Sequence, residues 1–293
     1  AALLSGRRRV MTEVSDFSQT KSGGRPASVA DMQATAAWQA AWGVTDFTLY
    51  YGMSDRSAGD YRAYCQFVGR LNAVLKSAQP TPDVLLYYPI HDLWGEYLPV
   101  AEKLGMESQS DRARTMVDSF RQIGQTLMSQ QIPFALVDHE FLAAAEVRPD
   151  GGLAIGKGLF RALILPRDVE LPKDALAKVE AFRRSGGQVL EDSSAVQPAA
   201  LVSELHPTCR ISPDSEEIVL GRFVRDGRPI LLLVNVGTDR YVGHLTTGQE
   251  GTWQLMDPAS GTIRPVATDA KARIPLDFSA RQSVLVVGER QGG

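Results

Sequence analysis

Along the first eighty residues, apolar positions fall into short strand-like runs separated by longer stretches of helical period. The run 8-RRVMTEV-14 reads as a strand, and its polar exit puts Glu13, Ser15 and Asp16 at a strand end. In 29-VADMQATAAWQAAWG-43 apolar residues recur at helical spacing up to Gly43, a residue that tolerates a left-handed C-cap. A second strand, 44-VTDFTLYY-51, and a second helix, 59-GDYRAYCQFVGRLNAVLKSA-78, complete two parallel β/α units. The proline-marked stretch 79-QPTPD-83 closes them.

From 83-DVLLYYPI-90 a new series begins. Unalternating apolar strands at 83–88, 134–138, 161–166 and 188–191 are separated by helices at 110–130, 139–145 and 173–186. Strands of that kind belong to a parallel sheet covered on both faces, so residues 80 to about 205 predict a flavodoxin-like α/β domain. After 206-HPTCRISPDS-215 the helical period disappears. Two strands in 218-IVLGRFVRDGRPILLLVNVG-237 are joined by Asp226-Gly227, a favoured hairpin pair, and short strands continue to residue 289. A small all-β sandwich follows from this pattern. The expected division of this α/β chain is therefore 1–78, 79–210 and 211–293.

Composition narrows the function. Lys and Arg number 31 against 34 Asp and Glu, scattered along the chain, for a net charge of −3. With Arg7, Arg8 and Arg9 as the one tight basic run, no nucleic-acid or membrane-surface partner is expected. The apolar run 230-ILLLVNV-236 is far too short to span a bilayer. Cys65 and Cys209 match no disulfide or zinc spacing and read as small core residues. His91, His139, His206 and His244 form no ligand pattern, so neither a metal nor a cofactor is expected. The glycine-rich 151-GGLAIGKG-158 mimics the front of a phosphate-binding loop, but lacks the following Ser or Thr and the flanking strand and helix; it reads as a hairpin. Asp138 reads as a helix N-cap, as do Asp192, Ser193 and Ser194. The N-terminus shows no secretory signal, but a chain starting at Ala1 leaves localisation open.

Two β/α units leave their sheet edges unpaired and cannot form a domain alone. They read as the last units of a (β/α)8 barrel, whose catalytic residues stand at the carboxyl ends of its strands. The apolar faces of helices 29–42 and 61–77 are then expected to stay open in this chain by itself.

The order of modules, together with 12-TEVSD-16, 43-GVTDFTLYYG-52, 84-VLLYYPIHDLWGEY-97, the stretch 159–191 and 252-TWQLMDPASGTIRPV-266, resembles the carboxyl half of glycoside hydrolases similar to the family 42 β-galactosidases. The resemblance implies a carbohydrate substrate, a β-galactoside-type bond and Glu13 as nucleophile. It also implies a trimerisation-type middle module, hence a homo-oligomer, and an acid/base glutamate in a barrel portion missing from this chain. Retaining hydrolysis needs two carboxyl groups about 5 Å apart, and Glu13 supplies one.

Around it, Tyr50 and Tyr51 are candidate sugar-contacting residues, of which alternation sends one inward and one outward. Asp16, three residues on from Glu13, is expected to point elsewhere along the loop and to support the substrate-binding site from there. His91, Asp92 and Trp94 follow the first strand of the middle domain, where open α/β sheets present function, and supply an imidazole, a carboxylate and an aromatic plane. The plainer alternatives are Glu13 as a solvated strand terminus or as an ion-pair partner of Arg7 to Arg9, tyrosines that pack in the core and on helices, and Trp94 and Tyr97 stapling two domains together while His91 and Asp92 cap a helix. A second reading of the whole is a non-catalytic oligomerisation or carbohydrate-contact module with an inert barrel remnant. The middle domain also resembles class I glutamine amidotransferases. Their activity needs a cysteine on a strained strand-to-helix turn, which neither Cys65 nor Cys209 occupies.

Overall fold

The computed structural model describes residues 2–100, 105–192 and 197–290. Strand β1 (Met11–Val14), helices α1 (Phe17–Lys21) and α2 (Val29–Ala41), strand β2 (Asp46–Leu49), helix α3 (Ala58–Leu75) and strand β3 (Gln79–Pro80) come first. β1 and β2 are parallel, with Met11 opposite Asp46 and Val14 opposite Leu49. Both long helices start at a serine whose hydroxyl accepts from the backbone N–H three residues on, while that residue's carboxylate accepts from the serine: Ser28 with Asp31, and Ser57 with Asp60.

The middle of the chain alternates β4 (Val84–Tyr87), α4 (Ile90–Glu96), α5 (Asp111–Ser129), β5 (Phe134–Val137), α6 (His139–Ala143), β6 (Glu146–Val147), β7 (Leu153–Ile155), β8 (Gly158–Phe160), β9 (Ala162–Leu165), α7 (Lys173–Arg184), β10 (Gln188–Glu191) and α8 (Pro198–Leu205). Four of these strands form a parallel sheet in the order β10-β9-β4-β5. Its two faces feed separate cores. Leu85 and Tyr87 pack with Val179 and Phe182, whereas Val84 and Leu86 pack with Ile123 and Leu127. That two-sided burial is why 84–87 shows no alternation. The glycine-rich 151–158 is indeed a hairpin, β7 running into β8 through Gly156. Asp138 caps α6 by accepting from the Phe141 N–H at 2.9 Å. Ser193 and Ser194 lie outside the described residues.

The last third contains only strands: β11 (Arg210–Ser212), β12 (Ile218–Arg225), β13 (Arg228–Asn235), β14 (Tyr241–Thr246), β15 (Thr252–Met256), β16 (Ile263–Ala267), β17 (Arg273–Phe278) and β18 (Ser283–Gly288). A six-stranded sheet, β16-β15-β18-β13-β12-β3, shares a core with a three-stranded sheet, β11-β14-β17. Asp226 and Gly227, at φ +52° and +74°, turn β12 into β13.

The chain divides into two compact units, not three domains. Ala1–Gly6 with Pro82–Pro207 makes one, and Arg7–Thr81 with Thr208–Gly293 makes the other. The segments expected as separate domains at 1–78 and 211–293 thus share a core. In it Met32, Ala36, Ala37 and Ala40 of α2 and Tyr64, Phe67 and Leu71 of α3 meet Val219, Phe223, Ile230, Leu232 and Val234 of the six-stranded sheet. The expectation that these helix faces stay open is therefore wrong, and the helix faces lend the barrel parentage no support. The reason lies in β13, whose run Ile230–Val234 is apolar on both faces: Leu231 and Leu233 enter the inter-sheet core, and the residues between them face the helices. Fully burying one such side chain contributes about 1.5–3 kcal/mol, so neither face can be left in water cheaply. Of the two cysteines, Cys209 is buried as expected, but Cys65 is exposed on α3.

Close approach of α2 to β12 depends on Gly221. A Cβ there would lie 2.7 Å from both the Cα and the carbonyl oxygen of Ala41. Gly221→Val is expected to lower stability by about 1–3 kcal/mol in urea unfolding, because backbone must move. Gly69→Ala, in α3 with nothing within 4 Å of the new methyl, is expected to raise it by about 0.5–1 kcal/mol in the same measurement.

Candidate functional site

The register of β1 on β2 decides which side chains share a face. Glu13 stands beside Thr48 and Met11 beside Asp46, while Val14 turns the other way into the helix-side core. Glu13 is exposed, and among the described residues its side chain has no hydrogen bond or ion pair. Of the plainer expectations, the ion pair with the arginine run does not hold, and the solvated strand terminus describes Glu13 as it stands in this chain. Arg9 instead reaches Asp46 at 3.0 Å, joined by Lys76 at 3.3 Å. Arg9, the Thr45 hydroxyl and Lys76 together hold the Asp46 carboxyl well below the usual carboxylate range.

The two tyrosines separate as alternation requires. Tyr50 is 58% exposed and continues the face of Glu13 and Thr48, whereas Tyr51 is only 5% exposed and packs in the helix-side core. Tyr51 meets Tyr64 edge-on at 6.2 Å, and its ring lies 5.0 Å from the Arg56 guanidinium carbon. Burial pushes its phenol upward. Tyr51 is thus a packing residue, and its assignment to sugar contact is corrected.

Asp16 supports the loop, as expected, and does not itself face a substrate. It is buried, and Oδ2 accepts from the Ala27 N–H at 2.7 Å and from the Arg56 guanidinium. Burial pushes the Asp16 carboxyl up, but the donations from Ala27 and Arg56 outweigh it and leave it below its ordinary value. Arg56 also donates to the Ala27 carbonyl at 2.9 Å and the Gly52 carbonyl at 3.3 Å. The Tyr61 hydroxyl lies 3.0 Å from the carbonyls of both Tyr51 and Gly52. The loops leaving β1 and β2 and the start of α2 are therefore tied to one guanidinium. Sequence reasoning missed Arg56, which lies forty residues from the carboxylate it neutralises.

The remaining candidates belong to the other unit. His91 is exposed and its ring lies 4.9 Å from that of His139, tilted by 40°, and Trp94, 65% exposed, meets the same imidazole edge-on at 6.3 Å. Asp92 is buried rather than presented, a further correction: Oδ1 accepts from the Glu170 N–H at 2.8 Å and from Arg112 at 3.2 Å. Arg112 also reaches Glu96 at 3.1 Å and Glu170 at 3.2 Å, making it the hub of a network that joins α4, α5 and the loop after β9. Asp192 is buried too, accepting from Ser119 and from Arg167 at 2.6 Å.

No family model matches this sequence, and no curated protein matches it. Solved structures do. A rhamnosidase from Novosphingobium sp. PP1Y superposes with TM-score 0.63 at 12% identity, over 99% of this chain and 35% of that one. A β-galactosidase from Bacillus circulans sp. alkalophilus gives TM-score 0.56 at 11% identity, over 88% of this chain and 52% of the other. A catalytic mutant of a GH42 β-galactosidase from G. stearothermophilus gives 0.59 at 9%, over 90% and 51%. This chain has the fold of a carboxyl-terminal part of GH42-like glycosidases. It spans about half the length of the β-galactosidases it matches and about a third of the rhamnosidase. In this chain Glu13 and Tyr50 lie on the open face of the β1–β2 pair, while Asp16, Tyr51 and Asp92 are buried in the framework.

Removing Arg56 would leave Asp16 buried and uncompensated, so Arg56→Ala is expected to cost about 3–5 kcal/mol in urea unfolding. Because the Asp16 carboxyl is depressed in the fold, its contribution is complete above about pH 4 and fades as pH falls through the folded-state value. The stability difference between the wild type and Asp16→Asn should accordingly shrink as pH is lowered from about 5 to about 2. A difference that stays constant over that range would show that the ion pair contributes nothing.

Proposed function

We propose that this chain is the carboxyl-terminal portion of a barrel glycoside hydrolase, with Glu13 as the nucleophile of a retaining, two-carboxylate reaction. The observation that carries this reading is the place of Glu13. It ends a parallel β-strand, on the face opposite the helices, where a barrel collects its catalytic groups. Attack by its carboxylate on the anomeric carbon forms a glycosyl-enzyme bond as the leaving oxygen takes a proton from a second carboxyl group. That acid belongs to the barrel portion outside this sequence. Tyr50, exposed on the same face, offers a ring to stack on the sugar and a phenol to its hydroxyls.

On this reading β1–α2 and β2–α3 are the last barrel units, the four-stranded parallel sheet belongs to a flavodoxin-like assembly domain, and the two antiparallel sheets form a closing sandwich. The intact protein is then a homo-oligomer. The substrate is a β-galactoside-type glycoside. A rhamnoside is the second reading, favoured by the rhamnosidase likeness, which extends over 99% of this chain.

The test uses the isolated chain and a polypeptide containing the complete barrel, assayed on 4-nitrophenyl β-D-galactoside and 4-nitrophenyl α-L-rhamnoside. The isolated chain is expected to turn over neither. In the longer polypeptide Glu13→Gln should lower kcat on the preferred glycoside on the order of a thousandfold or more with the fold retained. Wild-type turnover by folded Glu13→Gln protein would remove Glu13 from the mechanism. A complete polypeptide that hydrolyses neither glycoside would leave the non-catalytic module as the better account.

A further inference from the structure

Within the unit built from residues 1–6 and 82–207, helix α4 has two faces with different fates. Asp92 and Glu96, four residues apart, bind it to the body of the unit. Asp92 Oδ1 accepts from the Glu170 N–H at 2.8 Å, Glu96 accepts from the Ser110 hydroxyl at 2.6 Å, and both accept from Arg112. His91 and Trp94, three residues apart on the same helix, stay exposed. Both rings converge on His139, the first residue of α6. β4 and β5 are adjacent and parallel, with Tyr87 opposite Val137, so the loops leaving them bring α4 and α6 together. This is the carboxyl-terminal edge of an open parallel sheet, the edge at which such sheets bind ligands.

The three rings are uncommitted. Among the described residues, neither imidazole nor the indole has a hydrogen-bond or ion-pair partner. His139 Nδ1 is buried, which leaves Nε2 as the nitrogen open to a ligand. Because Asp92 and Glu96 fix α4 from behind, little backbone ordering is left to oppose binding. The charged groups of α4 and α6 are Asp92, Glu96 and Glu140, with Asp138 at the N-cap of α6, and all are carboxylates. A phosphate or carboxylate ligand finds no cation on these helices, so an anion is disfavoured. An indole plane instead takes the apolar C–H face of a sugar ring, and an imidazole nitrogen takes a hydroxyl, which both donates and accepts. A neutral pyranose with an unbroken C–H face, as galactose has, satisfies all three rings at once.

We propose that His91, Trp94 and His139 form a surface site for a neutral pyranose of the galactose type. The C–H face at carbons three, four and five lies on the Trp94 indole, and hydroxyls at its edge meet the imidazoles of His91 and His139. The site breaks no bond and does not rest on any reaction at Glu13.

Saturation-transfer NMR and calorimetric titration of the full chain with methyl β-D-galactopyranoside test it. Binding should saturate, and the sugar hydrogens on carbons three to five should receive the most saturation. Trp94→Ala should abolish saturable binding, Trp94→Phe should restore part of it, and Tyr50→Ala should leave it unchanged. His91→Ala should weaken the galactoside by about tenfold, and D-galacturonate should bind the wild type about tenfold more weakly or worse. The proposal falls if the galactoside fails to saturate, if galacturonate or choline binds as tightly, or if folded Trp94→Ala or His91→Ala binds as the wild type does. If Trp94→Ala does not fold, the map of saturated hydrogens and the Tyr50→Ala variant decide. Binding lost in Tyr50→Ala and kept in Trp94→Ala would place the sugar on the face of Glu13, overturning this proposal and leaving the glycosidase reading standing. Failure of the glycosidase reading in its own assay leaves this site untouched.

Discussion

Everything in the larger unit depends on β13 having no polar face. Leu231 and Leu233 fill the space between the two antiparallel sheets, while Ile230, Leu232 and Val234 fill the space beneath α2 and α3. A strand buried on both sides must have a layer on each, and here the second layer is a pair of helices that arrive more than 150 residues earlier in the chain. The alanine-rich face of α2 and the missing side chain at Gly221 let helix and sheet approach closely enough to exclude water. The β1–β2 pair, too small to be stable alone, is carried on those helices through Val14 and Phe47. Glu13 is held in place because its neighbour Val14 is.

Two arginines repeat the same logic in polar form. Arg56 and Arg112 each draw together segments distant in sequence around a buried aspartate, Asp16 and Asp92 respectively. A buried pair of this kind adds little net stability, since desolvating both ions offsets most of their attraction, but losing one partner is expensive. Such pairs therefore fix geometry more than they add to stability. The Arg56 pair fixes the two loops at the carboxyl ends of β1 and β2.

Much of this was legible in local pattern. The helices, the parallel run of strands, the Asp226–Gly227 hairpin and the Asp138 cap follow from periodicity and turn chemistry, which act over a few residues. Alternation also required that Tyr50 and Tyr51 face opposite ways, but which of them is buried depends on the helix layer, a tertiary fact. Asp16 and Asp92 were placed near a site by their positions after strand ends; the partners that bury them lie 40 and 20 residues away, beyond the reach of local pattern. The covering of α2 and α3 did have a local signal. The run Ile230–Val234 shows no alternation in an antiparallel hairpin, which demands a layer on each face, whereas the open-face expectation considered only the two β/α units by themselves.

The open face of β1–β2 sets a condition on whatever covers it. Met11 and Tyr50 leave apolar surface exposed on the face that carries Glu13. Covering that surface strips water from the Glu13 carboxylate, a cost that hydrogen-bond donors must offset. This chain supplies one beside it. The Thr48 hydroxyl now donates to the Met11 sulfur at 3.3 Å, and a thioether is a weak acceptor, so turning the hydroxyl to a carboxylate loses little. The Tyr50 phenol, without a hydrogen-bond partner among the described residues, is the second available donor on that face. Two donors leave part of a carboxylate unsatisfied. On the proposed reading, then, the covering surface must bring at least one more donor of its own, in addition to the acid that protonates the leaving group.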